Sequence, residues 1–205
     1  MNVLPYDWRS SAPTCIHGSL CGPLLRQLPA GAELKIADLG CGNGYIAGLM
    51  AALGHSVTAV DSSVEGINIA EEAHPEVQFM CVSLYEELAN IIGNDYDVVV
   101  SSDVIEHLYD PRLFLKNAYA LLRPGGTIIL TTPYHGYLKN LAMALLGKLD
   151  QHFTVDWDCG HIKFFSVKTL GLMVAEQGFH DIRFSFAGRV PYLWKSMILV
   201  ASKQR

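Results

Sequence analysis

Short apolar runs recur along the chain at 34–39, 56–60, 77–82, 96–101 and 127–131, and between them apolar residues fall three and four apart. Runs of this length without alternation predict strands buried on both faces, and the intervening spacing predicts helices at 44–53, 63–73, 84–92 and 111–122. Ser62, with Glu65 three residues on, predicts a capping box for the second of these helices, and Asp110-Pro111 predicts a cap and a first helical residue for the last. Residues 1–13, punctuated by Pro5 and Pro13, read as an arm, and 14–28 as a helix bent or restarted near Gly22-Pro23. Downstream, Tyr134, Leu138, Leu141, Leu145 and Leu149 keep helical spacing. Ser166 caps a further helix that Gly178 closes, and runs 179–186 and 192–201, joined by Gly188 and Pro191, predict a hairpin. Alternating strands and helices imply an α/β fold, a parallel sheet with helices on both faces.

The first strand runs into Ile36-Ala-Asp-Leu-Gly-Cys-Gly-Asn-Gly44, and the second ends in another acid, Asp61. Strand, glycine turn, helix, strand and acid make a nucleotide-type pocket. The dinucleotide fingerprint fails, because its third glycine falls on Tyr45. Asp38 would repel a pyrophosphate, whereas it suits a ligand with a cation in that place. S-adenosylmethionine carries an ammonium and a sulfonium and no phosphate.

Asp-x-Gly-x-Gly-x-Gly followed by an acid at the end of the next strand resembles the first motif of the class I S-adenosylmethionine-dependent methyltransferases. Leu-x-Pro-Gly-Gly at 122–126 resembles the same family, and the resemblance covers nearly all of residues 30–201. It implies a three-layer, doubly wound Rossmann-like fold, with a mostly parallel seven-stranded sheet and a C-terminal antiparallel hairpin strand. The organisation expected is an arm and helix over 1–29 and a methyltransferase domain over 30–205, with a substrate-covering insertion at about 134–160. The cofactor contacts implied are Asp38, Gly40, Cys41, Gly42, Gly44 and Tyr45 under the methionine part, and Asp61 with Ser62 at the ribose. Ser83 stands at the adenine, where the family often has an acid, with Val82 or Leu84 against the ring, and Ser102 at the methionine part. S-adenosyl-L-homocysteine is then the product.

Asp103-Val-Ile-Glu106-His107 follows the fourth strand, and on a helical turn positions 103, 106 and 107 share one face. Two carboxylates and an imidazole suit a hard or borderline divalent ion such as magnesium, with His161 as a further ligand. The region resembles the ubiquinone-biosynthesis O-methyltransferases and the small-RNA 3′-end 2′-O-methyltransferases. In those groups the residues matching Asp103, Glu106, His107 and His161 hold a cation that orients the accepting hydroxyl. The first acid here is Asp rather than the commoner Glu. Without a metal, His107 serves as general base, its unperturbed pKa of about 6.5 suiting proton removal near neutrality; His135 is the weaker candidate. Catalytic expectations therefore fall on His107, Glu106 and His161.

Charge separates the chain into two parts. Between Ile36 and Pro111 there are thirteen acids and no lysine or arginine, while residues 112–205 carry twelve basic and five acidic side chains. That polarity suits a cationic cofactor on one side and an anionic substrate or surface on the other, although acidic helix faces alone would also produce it. The 134–149 helix, flanked by Lys139 and Lys148, resembles the ubiquinone O-methyltransferase insertion associated with apolar substrates, and as an amphipathic element it suits peripheral membrane contact; as a core helix it would be ordinary. Tyr6 and Trp8 are expected as a lid over the cofactor mouth or as core anchors, and 151–158 as aromatic cover. Five cysteines without a CxxC pair, and no run approaching the roughly 20 apolar residues of a membrane span, predict a reduced, cytoplasmic protein, membrane-associated where the insertion touches lipid.

The expected reaction is O-methylation of a small phenolic or quinone-precursor hydroxyl, with a sugar hydroxyl, a carboxylate or an amine as the other acceptors. An RNA 2′-O-methyltransferase, for which the basic residues are dispersed, and a non-catalytic cofactor-binding module are the alternatives. A dehydrogenase is the remaining enzyme reading.

Overall fold

A computed structural model describes residues 8, 10–14, 17–31, 33–153 and 160–205. In chain order the elements are α1 (His17–Leu25), β1 (Lys35–Leu39), α2 (Tyr45–Ala52), β2 (Ser56–Asp61), α3 (Val64–Ala73), β3 (Gln78–Cys81), α4 (Leu88–Ile91) and β4 (Tyr96–Ser102). A 3-10 turn (Ile105–His107) precedes α5 (Pro111–Leu121), β5 (Leu122–Pro133), α6 (Tyr137–Leu145), α7 (Leu149–Phe153), α8 (Val167–Glu176), β6 (Phe179–Ala187) and β7 (Ser196–Lys203). The seven strands form one sheet in the order β3-β2-β1-β4-β5-β7-β6. All neighbours are parallel except β7, which runs antiparallel to both β5 and β6.

The continuous apolar runs are explained by burial on both faces. Val98 and Val100 pack with Ile36, Ala59, Ile129 and Ile198 beneath α1, α2 and α3, among Leu20, Leu24, Met50 and Ile67. Val99, between them, faces the other way, with Leu39, Val60, Ile128 and Leu130, against Phe114 and Leu115 of α5 and Leu170 and Val174 of α8. Burying a side chain of this size is worth about 1.5–3 kcal/mol, which is why a half-polar strand could not take this central place. At the far edge, Asp97 accepts from the Lys35 backbone N–H and from Arg123 of the Pro-Gly-Gly turn, tying β1, β4 and β5 together away from the site.

Several boundaries differ from the sequence expectation. The cap of α3 is Ser63, whose hydroxyl accepts from the Gly66 N–H, rather than Ser62 with Glu65. Asp61 holds the Ser63 N–H, and this starts the helix one residue later. The predicted helix 84–92 shrinks to Leu88–Ile91, because Ser83 sets a tight turn, its hydroxyl accepting from the Tyr85 N–H and its carbonyl from the Glu86 N–H. The 134–149 helix is divided: α6 ends at Leu145, Gly147 takes a left-handed backbone at φ 64°, and α7 follows. Ser166 caps α8 as expected, through a capping box with Thr169.

Candidate functional site

The C-terminal ends of β1, β2 and β4 meet at the glycine turn. Gly40, Gly42 and Gly44 all have positive φ, so the turn needs residues free of the left-handed penalty. At Gly40 a Cβ would also come within 2.5 Å of the Val104 side chain, so an alanine there must displace the segment that leads to the Glu-His pair. The turn is held from β2: the Gly40 and Cys41 N–H groups donate to the Val60 carbonyl. Asp61 spans the gap, one carboxylate oxygen accepting from the Gly42 N–H and the other from the Ser63 N–H, each at 2.8 Å. Its carboxylate plane is thus fixed by backbone before any ligand arrives.

Asp38 is buried behind the turn, and its Oδ2 has no hydrogen-bond partner. Burial, helped by the charge of Asp61, pushes its pKa up to about 7. An uncompensated buried carboxylate of this kind calls for a cation. The Cys41 thiol is also pushed well up by burial and then by Asp38 and Asp61, which leaves it neutral. The Tyr45 ring stacks on His17 of α1, with centroids 4.8 Å apart.

Asn43, which the motif reading did not use, and Trp8, expected as a lid or a core anchor, complete this part. Asn43 is 2% exposed, and its amide donates to the Ser10 carbonyl at 2.8 Å and the Ala12 carbonyl at 3.0 Å. The polar residue inside the glycine turn therefore ties down the N-terminal arm. Trp8 lies against the turn, where a Cβ on Gly42 would meet its ring at 2.3 Å and one on Gly66 at 2.9 Å. Only an amide between two glycines signalled the tether. Tyr6, the other expected lid residue, lies outside the described residues.

At the adenine position, Ser83 sits in its turn, while Leu84 is directed into the hydrophobic core beside Leu88 and Phe114. Val82 beside it is half-buried and packs against the edge of the same core. Ser62 accepts from the Cys81 thiol through its carbonyl, and Ser102 shares a 3.0 Å hydrogen bond with the Thr131 hydroxyl.

Beyond β4 the chain does not form the single helical face expected for positions 103, 106 and 107. Asp103 has a left-handed backbone at φ 53°, and its carboxylate accepts from the Thr131 hydroxyl at 3.1 Å. The 3-10 turn that follows brings Glu106 and His107 together with His161, with one ligand-capable atom from each within 4.8 Å of the others. Asp103 is not part of that group. His161 is delivered by the backbone, since the Ile162 and Lys163 N–H groups both donate to the Glu106 carbonyl at 2.9 Å. The His107 Nδ1 lies 3.2 Å from the Gly160 carbonyl. A carbonyl only accepts, so Nδ1 carries the proton and Nε2 is the basic nitrogen. Glu106 is 1% exposed with neither carboxylate oxygen hydrogen-bonded, and its Oε1 lies 3.9 Å from the His161 Nε2. Burial, and then the charge of Asp103, raises its pKa well above the usual carboxylate range; burial raises Asp103 to about 6. Next to this cluster His135 stacks on Phe153 and meets Phe164 edge-on. Of the segment 151–158 expected as aromatic cover, 151–153 end α7 and 154–158 lie outside the described residues.

Comparison with known proteins identifies the family and the fold. The family described as "Methyltransferase domain" matches residues 16–183. The ubiquinone biosynthesis O-methyltransferase of Caulobacter sp. (strain K31) is 39% identical over 118 residues, covering 56% of this chain and 46% of that protein. The enzyme of the same name from Parvibaculum lavamentivorans is 32% identical over 155 residues, covering 71% of this chain and 58% of that protein. The chain thus spans about half the length of the curated relatives it matches. A SAM-dependent methyltransferase from Archaeoglobus fulgidus superposes with a TM-score of 0.70 at 19% identity, over 90% of this chain and 93% of that one.

Proposed function

The chain belongs to the methyltransferase domain family with the class I fold, and from that premise we propose that it moves a methyl group from S-adenosylmethionine to a hydroxyl of a small phenolic or quinone-precursor ring. The observation that carries the donor is the pair of acids around the glycine turn. Asp61, its plane set by two backbone N–H groups, has lone pairs left to accept both ribose hydroxyls. Asp38, buried and short of a partner, faces the ammonium end. Gly40, Cys41, Gly42, Gly44 and Tyr45 line the methionine part, Ser62, Ser83 and Val82 the ribose and adenine, and Ser102 the approach to the methyl group.

Transfer is an in-line displacement: the acceptor oxygen bonds to the methyl carbon as the carbon–sulfur bond breaks, leaving neutral S-adenosylhomocysteine. Alignment supplies most of the acceleration, and the rest comes from making the oxygen nucleophilic. The His107 Nε2, oriented by its Nδ1–H···O=C bond to Gly160, takes the hydroxyl proton. Glu106, His107 and His161 also form a donor set that fits a divalent cation, because the Glu106 carboxylate is buried without a hydrogen bond. One carboxylate and two imidazoles favour a borderline ion over magnesium. Bound there, it would lower the hydroxyl pKa and orient the oxygen.

In this reading the insertion, of which 134–153 and 160 are described, borders the acceptor side. No described helix is long and apolar enough to cross a membrane. α6 nonetheless exposes Tyr137, Leu138, Leu141 and Leu145, which supports peripheral contact with an apolar surface. The deciding experiment is calorimetry with S-adenosylhomocysteine and with NAD, followed by turnover on catechol-like acceptors with and without a chelator. Binding of the first and not the second is expected. NAD binding would sink the donor assignment, and chelator-insensitive turnover would leave His107 acting without a metal.

A further inference from the structure

Rings from three stretches beyond β5 meet at one point: His135 just after the strand, Phe153 at the end of α7, and Phe164, three residues past His161. The His135 ring stacks on Phe153, with centroids 5.9 Å apart and planes 13° apart. Phe164 stands edge-on to both, 5.2 Å from His135 and 4.8 Å from Phe153. His135 is 7% exposed, so its imidazole is packed here as an aromatic surface.

The stretch that carries Phe164 is also the one that reaches the Glu-His pair. Ile162 and Lys163 donate to the Glu106 carbonyl, the Gly160 carbonyl lies 3.2 Å from the His107 Nδ1, and Phe165 is buried in the core. Within the donor set, Glu106 and His107 come from the 3-10 turn after β4, and His161 comes from this stretch. At the other end, the Tyr134 N–H donates to the Lys195 carbonyl and anchors the start of the insertion to the β6–β7 turn. Between these anchors, α6 and α7 are joined across Gly147, where the Lys148 N–H donates to the Met143 carbonyl. α6 leaves Tyr137 and Leu145 about four-fifths exposed. Short helices with so much exposed surface open more readily than the sheet beneath them.

We infer that the His135–Phe153–Phe164 contact links α6 and α7 to the donor set, so that cation binding at Glu106, His107 and His161 orders both helices, with His135 as the positioning residue that carries the coupling. Lifting α7 takes Phe153 away from Phe164 and loosens the stretch that presents His161. A ligand that needs His161 in place therefore opposes that opening, and the docked helices favour the ligand in return. The inference rests on the donor-set reading of the site, whereas the ring contacts do not.

Amide hydrogen exchange of the full chain, with and without zinc, reads the coupling. Zinc at about a hundred times its dissociation constant opposes any opening that breaks the site by up to about a hundredfold. Slowing of about tenfold or more is expected at amides of α6 and α7, as well as at 160–165. His135→Ala should confine the slowing to 160–165, while zinc affinity from metal titration changes less than about threefold. His135→Phe, which keeps a stacking ring, should restore protection of the helices. Phe164→Leu, at a position 46% exposed, disturbs folding less than His135→Ala and should uncouple the helices in the same way. Zinc that binds but leaves α6 and α7 unprotected overturns the coupling and leaves the donor set standing. So does protection of the helices that persists at full strength in His135→Ala and Phe164→Leu. Failure of the wild-type chain to bind zinc overturns the donor set, and the coupling with it.

Discussion

Two parts of the sheet edge face each other across the site, and they satisfy their polar groups in opposite ways. Around β1, β2 and β4, polar groups are largely held by backbone: Asp61 by Gly42 and Ser63, Ser101 by the Leu39 carbonyl, and the Asn43 amide by the arm. Around the end of β5, α6 and the β6–β7 turn, Tyr137 and Leu145 are about four-fifths exposed while a lysine is buried with a single acceptor. The first part is preorganised by backbone, with Oδ2 of Asp38 left buried without a partner. The second leaves apolar side chains of α6 exposed. Preorganised donors bind a constant ligand at little ordering cost, whereas an incomplete surface leaves room for acceptors to differ between relatives.

The contrast is tested most severely at Asp61. Asp61→Ala removes the ribose acceptor and frees two backbone N–H groups, so binding of S-adenosylhomocysteine by calorimetry should fall about a hundredfold or more, given roughly 1.5–3 kcal/mol per hydrogen bond to a charged group. Unchanged affinity would remove Asp61 from the cofactor site. His161→Ala should come next. With Glu106 and His107 left as an incomplete set, binding of zinc or manganese, read by metal titration, should drop at least tenfold while cofactor affinity holds; equal metal binding by the variant would take His161 out of the donor set.

A comparable effect is expected from pH. Asp38 has a raised pKa of about 7, so the folded chain keeps a proton that the unfolded chain releases near 4. Stability from this group therefore falls as pH rises between those values. A cationic cofactor needs the ionised form, so its affinity should rise up to tenfold per unit of pH below about 7 and then level off. Asp38→Asn should flatten that profile, and a profile that keeps its slope would assign the titration elsewhere. Asn43→Leu removes two hydrogen bonds to the arm, and a severalfold loss of cofactor affinity with a shift in tryptophan fluorescence is expected. Affinity and fluorescence both unchanged would mean that the arm is not part of the cofactor site. The smallest effect belongs to the other side: Leu145→Ser on the exposed face of α6 should change stability by less than about 0.5 kcal/mol in denaturant unfolding. A larger loss would mean that this face is covered in the folded chain.

The same division explains what could be read in advance. β1, the glycine turn and Asp61 were legible because their causes are local: continuous apolar runs for doubly buried strands, and positive φ where only glycine is unstrained. The start of α3 was misread by one residue because Asp61 holds the Ser63 N–H, a bond made across a turn rather than along the helix. Asp103 was placed on a helical face with Glu106 and His107, but its left-handed backbone and the Thr131 hydroxyl take it out of that register. The role of Asn43 was not read at all, since its partners lie in the arm, 31 and 33 residues earlier. Lys139, flanking the helix in the linear pattern, is buried with its ammonium on the Tyr134 carbonyl, a contact back across the start of α6.

Periodicity, turn chemistry and charge act over a few residues, and from them the chain specifies a parallel α/β sheet, a glycine turn and an acid at the end of the second strand. The meeting of His107 with the Gly160 carbonyl, 53 residues away, and of His161 with Glu106 depends on which loops lie side by side at the sheet edge. That outcome follows from packing both faces of the sheet at once, and residues so far apart carry no local signal of it.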